Sequence, residues 1–339
     1  MLIRHYGKLA AASLLAATMT TGFSASGWAQ ESEGRPELSP MSRVPALRAD
    51  MAEDEDSGDR VFGGKEAAKG AWPFQVALLT SEMLDNDPAS QPNAQFCGGS
   101  LIAPQWVLTA AHCLTDSGQT VAADTVTVLV GATNLEEGKR HKVAAVFVNE
   151  GYDTSTLDND VGLLKLAEPA TAPTIAITDA NVENGTATVT GWGMMEDGYF
   201  PNNLMQADIE LFPNTACNAG IKEIYAKDLG GILRELAPRM RYSDASVDEA
   251  TKAIAATMRD PLTANMLCAG VQSGARDACN GDSGGPLFTV KGGKPVQVGV
   301  VSWGEGPMDG SAACGHANAY GIYTRVANYR DWIKGKMGQ

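Results

Sequence analysis

Residues 281–286 read Gly281-Asp282-Ser283-Gly284-Gly285-Pro286. A serine hydroxyl is a poor nucleophile at neutral pH unless a base takes its proton. Flanking glycines let the backbone turn tightly and leave the hydroxyl accessible. They also let backbone N–H groups converge on one point where an oxyanion can sit. Taken alone, the stretch also fits an ordinary glycine-rich turn, so its reading depends on partners elsewhere in the chain. The candidate base is His112, in Thr109-Ala110-Ala111-His112-Cys113. It follows a run with strand character and adjoins a cysteine able to pin it in place. The other histidines are His5, His141 and His316. A third member, a buried carboxylate orienting the imidazole, is expected at Asp160, in Asn159-Asp160-Val161-Gly162-Leu163-Leu164-Lys165-Leu166. A charge entering an apolar strand is costly unless paired, so a partner is expected there. Asp158, two residues earlier, reads as a solvated turn residue.

Around these residues, the chain from Val61 onward is a succession of short apolar runs separated by Gly, Pro, Asn and Asp. Runs at 74–79, 101–110, 126–130, 143–148, 186–190 and 296–303 predict strands. Many short strands with turn signals between them predict an all-β barrel or sandwich. Residues 221–236 and 247–258 carry apolar residues at helical spacing. Ser246 with Glu249 fits a capping box ahead of the second of these. Residues 329–336 predict a short terminal helix. No internal repeat is visible in the sequence.

The first sixty or so positions read differently. Arg4 and Lys8 give a positive start, and 9–20 is an Ala- and Leu-rich apolar run too short for a stop-transfer helix. Gly27-Trp28-Ala29 fits a cleavage site, so 1–29 is expected to be a signal peptide directing export, to the cell exterior or a periplasm. Residues 30–60 are polar, contain Pro36, Pro40 and Pro45, and carry the acidic run Glu53-Asp54-Glu55-Asp56. Few apolar residues recur with any period, which predicts a mobile leader ending at Arg60. No later run is long and apolar enough to span a membrane.

Composition sets further bounds. The 339 residues are 44% hydrophobic, enough for a sizeable core. The formal net charge of -14 argues against a nucleic-acid partner, since phosphate binding needs basic clusters. Six cysteines fit an oxidising compartment, and their even number permits full pairing in many connectivities. There is no Cys-x-x-Cys pair, and only Cys113 has a histidine beside it, so a zinc site is not expected.

The chain from Val61 to its C-terminus resembles the trypsin/chymotrypsin family of serine proteases. The resemblance is carried by Val61-Phe62-Gly63-Gly64, Cys97-Gly98-Gly99-Ser100, the runs around His112, Asp160 and Ser283, Gly191-Trp192-Gly193, Ser302-Trp303-Gly304 and Gly321-Ile322-Tyr323-Thr324. It implies an all-β fold of two six-stranded antiparallel β-barrels with the active site between them, a short C-terminal helix and a helical insertion. It implies that His112 and Asp160 come from the first barrel and Ser283 from the second, with the N–H groups of Gly281 and Ser283 as the oxyanion hole. It also implies the disulfides Cys97–Cys113, Cys217–Cys268 and Cys279–Cys314. The expected organisation is a signal peptide at 1–29, a propeptide at 30–60 and one protease domain at 61–339. The expected protein is a secreted, monomeric endopeptidase that needs no cofactor or metal. Its partners would be protein or peptide substrates and an activating protease or inhibitor. The alternative is a catalytically silent, protease-like binding module. The spacing Gly281-x-Ser283-x-Gly285 also fits the elbow of α/β-hydrolases, but their triad runs Ser, Asp, His along the chain, and here the order is His, Asp, Ser.

The same resemblance bears on specificity and activation. The residue six positions before Ser283 is Asp277, which the family places at the base of the primary pocket; Ser302, Gly304 and Gly321 match its walls. A buried carboxylate there favours cleavage after Arg or Lys. Cleavage at Arg60-Val61 would free an α-amino group to pair with Asp282. The acidic run ahead of that junction would meet the acidic pocket with like charge and slow self-cleavage. Three features depart from the family. The interval from Cys217 to Cys268 is long and holds both predicted helices. Residues 305–313 lengthen the pocket rim. The stretch 131–140 has Ala132 and Arg140 where a calcium loop needs carboxylates, so no calcium is expected there.

Overall fold

The computed structural model describes residues 39–51, 64–195, 198–274, 276–306, 314–317 and 320–338. Six strands close the first barrel: β1 (Gln75–Thr80), β2 (Gln95–Ala103), β3 (Trp106–Thr109), β4 (Val126–Val130), β5 (Lys139–Val148) and β6 (Gly162–Leu166), in the order β1-β2-β3-β6-β5-β4. The second is built from β7 (Gly185–Gly191), β8 (Met205–Phe212), β9 (Met266–Gly270), β10 (Pro286–Lys291), β11 (Lys294–Trp303) and β12 (Gly321–Arg325). Its order, β7-β8-β9-β12-β11-β10, repeats that of the first barrel, and the β8–β9 pairing helps to close it. All neighbours in both barrels run antiparallel. Lys65–Glu66 adds to the outer edge of β8, so the segment just after the proposed junction is anchored on the second barrel.

Side-chain alternation explains the sheets. In β8, Ala207, Ile209 and Leu211 are buried and Asp208 and Glu210 are exposed, the period of two that a half-buried strand requires. Val76, Leu78, Leu101, Leu108, Val128 and Leu163 fill the first barrel, each fully shielded. Each such side chain contributes about 1.5–3 kcal/mol relative to exposure. The single strand expected at 101–110 is two strands. Pro104 interrupts it, having no N–H to give to a ladder. The disulfides join Cys97 to Cys113, Cys217 to Cys268 and Cys279 to Cys314.

The insertion between Cys217 and Cys268 is helical, as expected, but larger. Helix α1 covers Asn214–Met240 and ends at Arg241 in the left-handed region, and α2 covers Asp244–Ala255. The expected capping box at Ser246 and Glu249 is displaced: Ser243 caps α2, its Oγ accepting from Ser246 N at 3.2 Å. Helix α3 (Arg330–Met337) follows the second barrel. Among the described residues, no helix is long and apolar enough to cross a membrane.

The leader corrects the sequence reading most sharply. Part of the stretch expected to be mobile is a helix, which we label α0 (Pro40–Met51) because it precedes the barrels. Val44 is 1% exposed and belongs to the core of the first barrel, with Met41 and Leu47 packed against it. Positions 41, 44, 45 and 48 form one stripe at helical spacing. Pro45 cannot donate to the carbonyl of Met41, and Thr80 Oγ1 donates to that carbonyl instead, at 3.2 Å. A free helix of 12 residues is marginal in water, so α0 depends on this docking. Val44→Asp should abolish amide-exchange protection across 46–51 while leaving β4 protected. Unchanged protection in 46–51 would contradict the packing described.

Candidate functional site

Asp160 has no exposed surface. It follows a turn in which Leu157 and Asn159 take positive φ values of 54° and 57°, reversing the chain so that its side chain points inward ahead of β6. Oδ1 accepts from the His112 backbone N–H at 2.9 Å, and Oδ2 accepts from His112 Nδ1 at 2.7 Å and from Ser302 Oγ. Burial pushes the Asp160 pKa up, but the charge of His112 and the bonds from His112 and Ser302 outweigh it and hold the carboxyl below its usual value. The Asp160 carbonyl accepts from Thr324 Oγ1. Asp158 is not the solvated residue expected. Its carboxylate accepts from Thr263 Oγ1 at 2.7 Å and Asn265 Nδ2 at 3.1 Å, holding the turn to the segment before β9.

His112 opens a single 3-10 turn after β3, and the Cys97–Cys113 bridge ties that turn to β2. The next residue on β2, Gly98, donates its N–H to the carbonyl of Ser283 at 2.7 Å. The histidine turn and the serine loop are therefore fastened to adjacent positions of one strand. The loop itself is bonded internally, with Asp282 N donating to Cys279 O and Gly285 N to Asp282 O, each at 2.9 Å. Gly281 has φ +97°, which favours glycine. Among the described residues, the N–H groups of Gly281 and Ser283 have no internal acceptor, and Ser283 Oγ makes no hydrogen bond.

Two further buried carboxyls flank this loop. Asp277 is 9% exposed; it accepts from Ala278 N at 2.8 Å and from Tyr323 OH at 3.4 Å. A Cβ at Gly321 would lie 2.3 Å from Asp277 Oδ1, so only glycine fits there, whereas the space around Gly304 is open. Burial, with the charge of Asp282 adding, pushes the Asp277 pKa up to about 7 against the pull of its N–H and O–H donors. Asp282 accepts from Gly193 N at 2.7 Å and Cys279 N at 2.9 Å. Cβ atoms at Gly191 and Gly193 would come within 2.0 and 2.4 Å of its carboxylate, which accounts for both glycines of the Gly191-Trp192-Gly193 motif. Burial raises Asp282 to about 6, offset by those donors and by the charge of Arg48. A shallow cleft lined by Val189, Gly191, Gly193, Met205, Asp277 and Asp282 adjoins both carboxyls.

Arg60 and Val61 lie outside the described residues, so the junction's own geometry is not part of this site. One group of side chains within metal-ligand reach, Cys97, His112 and Cys113, has both sulfurs committed to a disulfide. In the stretch 131–140, Arg140 donates to Gln91 Oε1 at 2.7 Å, Asp87 O at 3.0 Å and Ser90 Oγ at 3.1 Å, placing a guanidinium among those oxygens. The sequence reading missed Arg48. This residue is 5% exposed and bonded beside Asp282; the available signal was its place on the apolar stripe with Met41 and Val44.

A profile of the trypsin family matches residues 61–333. The chain is 32% identical to mouse transmembrane protease serine 11G over 82% of its own length and 55% of that protein's. It is 30% identical to mouse vitamin K-dependent protein C over 86% of its length and 54% of that protein's. The chain thus spans about half the length of these curated relatives. With the two six-stranded barrels, these matches place the chain in the trypsin-like serine protease family.

The raised carboxyls give a pH prediction. Asp277 and Asp282 hold their protons more tightly folded than unfolded. The stability they lend is therefore full below about pH 4 and is lost as pH rises through about 6 to 7. For Asp277 alone the loss is on the order of 4 kcal/mol. Urea unfolding of Asp277→Asn should show a flatter decline between about pH 4 and pH 8 than the parent chain. Parallel profiles would contradict the account.

Proposed function

We propose that this protein is a secreted serine endopeptidase, made as a precursor, that cleaves after Arg or Lys. The observation that carries the reading is the buried Asp160 carboxylate, which receives both the backbone N–H and Nδ1 of His112. That pair fixes the imidazole tautomer with Nε2 as the base. Ser283 Oγ attacks the scissile carbonyl and passes its proton to His112 Nε2. The oxyanion forms against the Gly281 and Ser283 N–H groups, which have no internal acceptor among the described residues. Collapse breaks the C–N bond, and His112 returns the proton to the leaving amine. Water then attacks the acyl-enzyme by the same relay and restores Ser283.

Asp277 supports the specificity. Among the described residues its buried carboxyl has no cationic partner, so a long cationic side chain reaching it gains a charge-assisted bond and restores ionisation. Gly304 and Gly321 leave the path open, and Ser302 joins the wall to Asp160. For activation, cleavage after Arg60 would deliver the Val61 amine to the cleft beside Asp282. Export by a signal peptide at 1–29 agrees with the three disulfides, and a monomer remains the expected state. The name of one matched relative, transmembrane protease serine 11G, points the same way.

Paired Arg, Lys, Phe and Ala peptide substrates, assayed before and after limited trypsin treatment, test the whole reading. Activity should be confined to Arg and Lys and rise on cleavage. Ser283→Ala should lower kcat by about 10⁶. Asp277→Ser should lower kcat/KM on Arg substrates by on the order of 10⁴. An inert but correctly cleaved chain would instead favour a silent binding module, and a preference for Phe would overturn the pocket assignment.

A further inference from the structure

Arg48 belongs to the leader, yet it is bound into the interior of the protease fold. One of its nitrogens, Nη2, donates to the Trp192 carbonyl at 2.7 Å and to Gln95 Oε1, while the guanidinium carbon sits 4.4 Å from the centre of the Phe200 ring. Each polar contact continues to the serine loop. The Trp192 carbonyl belongs to the same peptide group as the Gly193 N–H, which donates to Asp282 Oδ1 at 2.7 Å. The Gln95 amide passes the contact on through Nε2, which donates to the Gly281 carbonyl at 2.9 Å and the Cys97 carbonyl at 3.1 Å. A cation at one end of such an amide polarises it and strengthens the bond at the other end. One turn earlier in α0, Arg43 donates to Asn280 Oδ1 at 3.2 Å. Two leader arginines therefore hold the segment from Asn280 to Asp282, through three separate connections.

In the uncut chain, Val61 contributes an uncharged peptide nitrogen and not an amine. Asp282 is nonetheless turned to Gly193, and the Gly281 and Ser283 N–H groups are left without internal acceptors among the described residues. We propose that Arg48 is a positioning residue that stands in for the missing amine, ordering the oxyanion loop before cleavage so that the precursor is already competent to cut after Arg60 in a second copy of itself. The proposal rests on the protease reading for that consequence, but the ordering of the loop does not. Burial lowers the Arg48 pKa to about 9, with the charge of Asp282 pulling it back up, so the guanidinium is charged at neutral pH. No cysteine lies in the leader, so cutting at the junction leaves α0 attached only by its packing and these bonds.

The test is amide hydrogen exchange across 279–285 in the full chain carrying Arg60→Gln, compared with the same chain also carrying Arg48→Met or Arg48→Lys. Arg48→Met keeps an apolar stem of similar shape and removes the charge. It should speed exchange in 279–285 by about tenfold or more, the scale of a typical coupling between two sites. Arg48→Lys should retain most of the protection. If Arg48→Met also loosens β4, the comparison of Arg48→Lys with the Arg60→Gln parent decides the matter. Unchanged or slower exchange in Arg48→Met would overturn the proposal, and so would full loss in Arg48→Lys with β4 intact. Exchange needs no catalysis, so an inert cleaved enzyme would defeat the protease reading without touching this result.

Discussion

The carboxylate of Asp160 holds the two halves of the protein to one geometry. It is fully buried, and among the described residues its bonds reach both barrels: two with His112 on the first and one with Ser302 near the end of β11 in the second. Its backbone carbonyl takes Thr324 Oγ1 from β12. A buried charge whose partners come from both barrels ties the stability of the seam to the placement of the imidazole. Removing a single partner would leave the charge uncompensated, which is far costlier than never burying it. The turn at Asp158 reinforces the seam through Thr263 and Asn265.

The other two buried carboxyls are treated in the opposite way. Asp160 is held below its usual pKa by an imidazole and a hydroxyl, whereas Asp277 and Asp282 are pushed up to about 7 and about 6. Among the described residues these two receive N–H and O–H donors but no directly paired cation, and glycines at 191, 193 and 321 reserve the space around them. Each is thus poised to gain from a cation arriving from outside the barrels. On the proposed function, that cation is an Arg or Lys substrate side chain at Asp277 and a group from the leader or from a new N-terminus at Asp282. Both carboxyls cost stability at neutral pH, the usual cost of a prearranged site.

Much of this was legible in the sequence because the chemistry is local. The segments around His112, Asp160 and Ser283 carry their own turn and strand signals. The strand at 126–130 was read to its ends because valines recur at every second position with no Gly or Pro between them. Less was legible where distant residues decide. The repeat of strand order in the two barrels is a property of pairing, not of sequence similarity, and left no repeat to read. The break at Pro104 was missed because the apolar run continues across it. The leader misled the reading because prolines and an acidic run suggested disorder. Yet Pro45 sits in α0 with its missing bond offset by Thr80, and the buried stripe includes an arginine that a hydrophobic count overlooks. Asp158 looked solvated because its partners lie more than a hundred residues away.

The most direct test of the central claim is to treat the cleaved protein with a phosphonylating, serine-directed reagent and map the adduct by mass spectrometry. One adduct is expected, on Ser283 Oγ, with its loss when His112 is replaced by Ala, since the hydroxyl is reactive only when the imidazole held by Asp160 takes its proton. No adduct on Ser283 in the correctly cleaved chain, or equal labelling without His112, would contradict it.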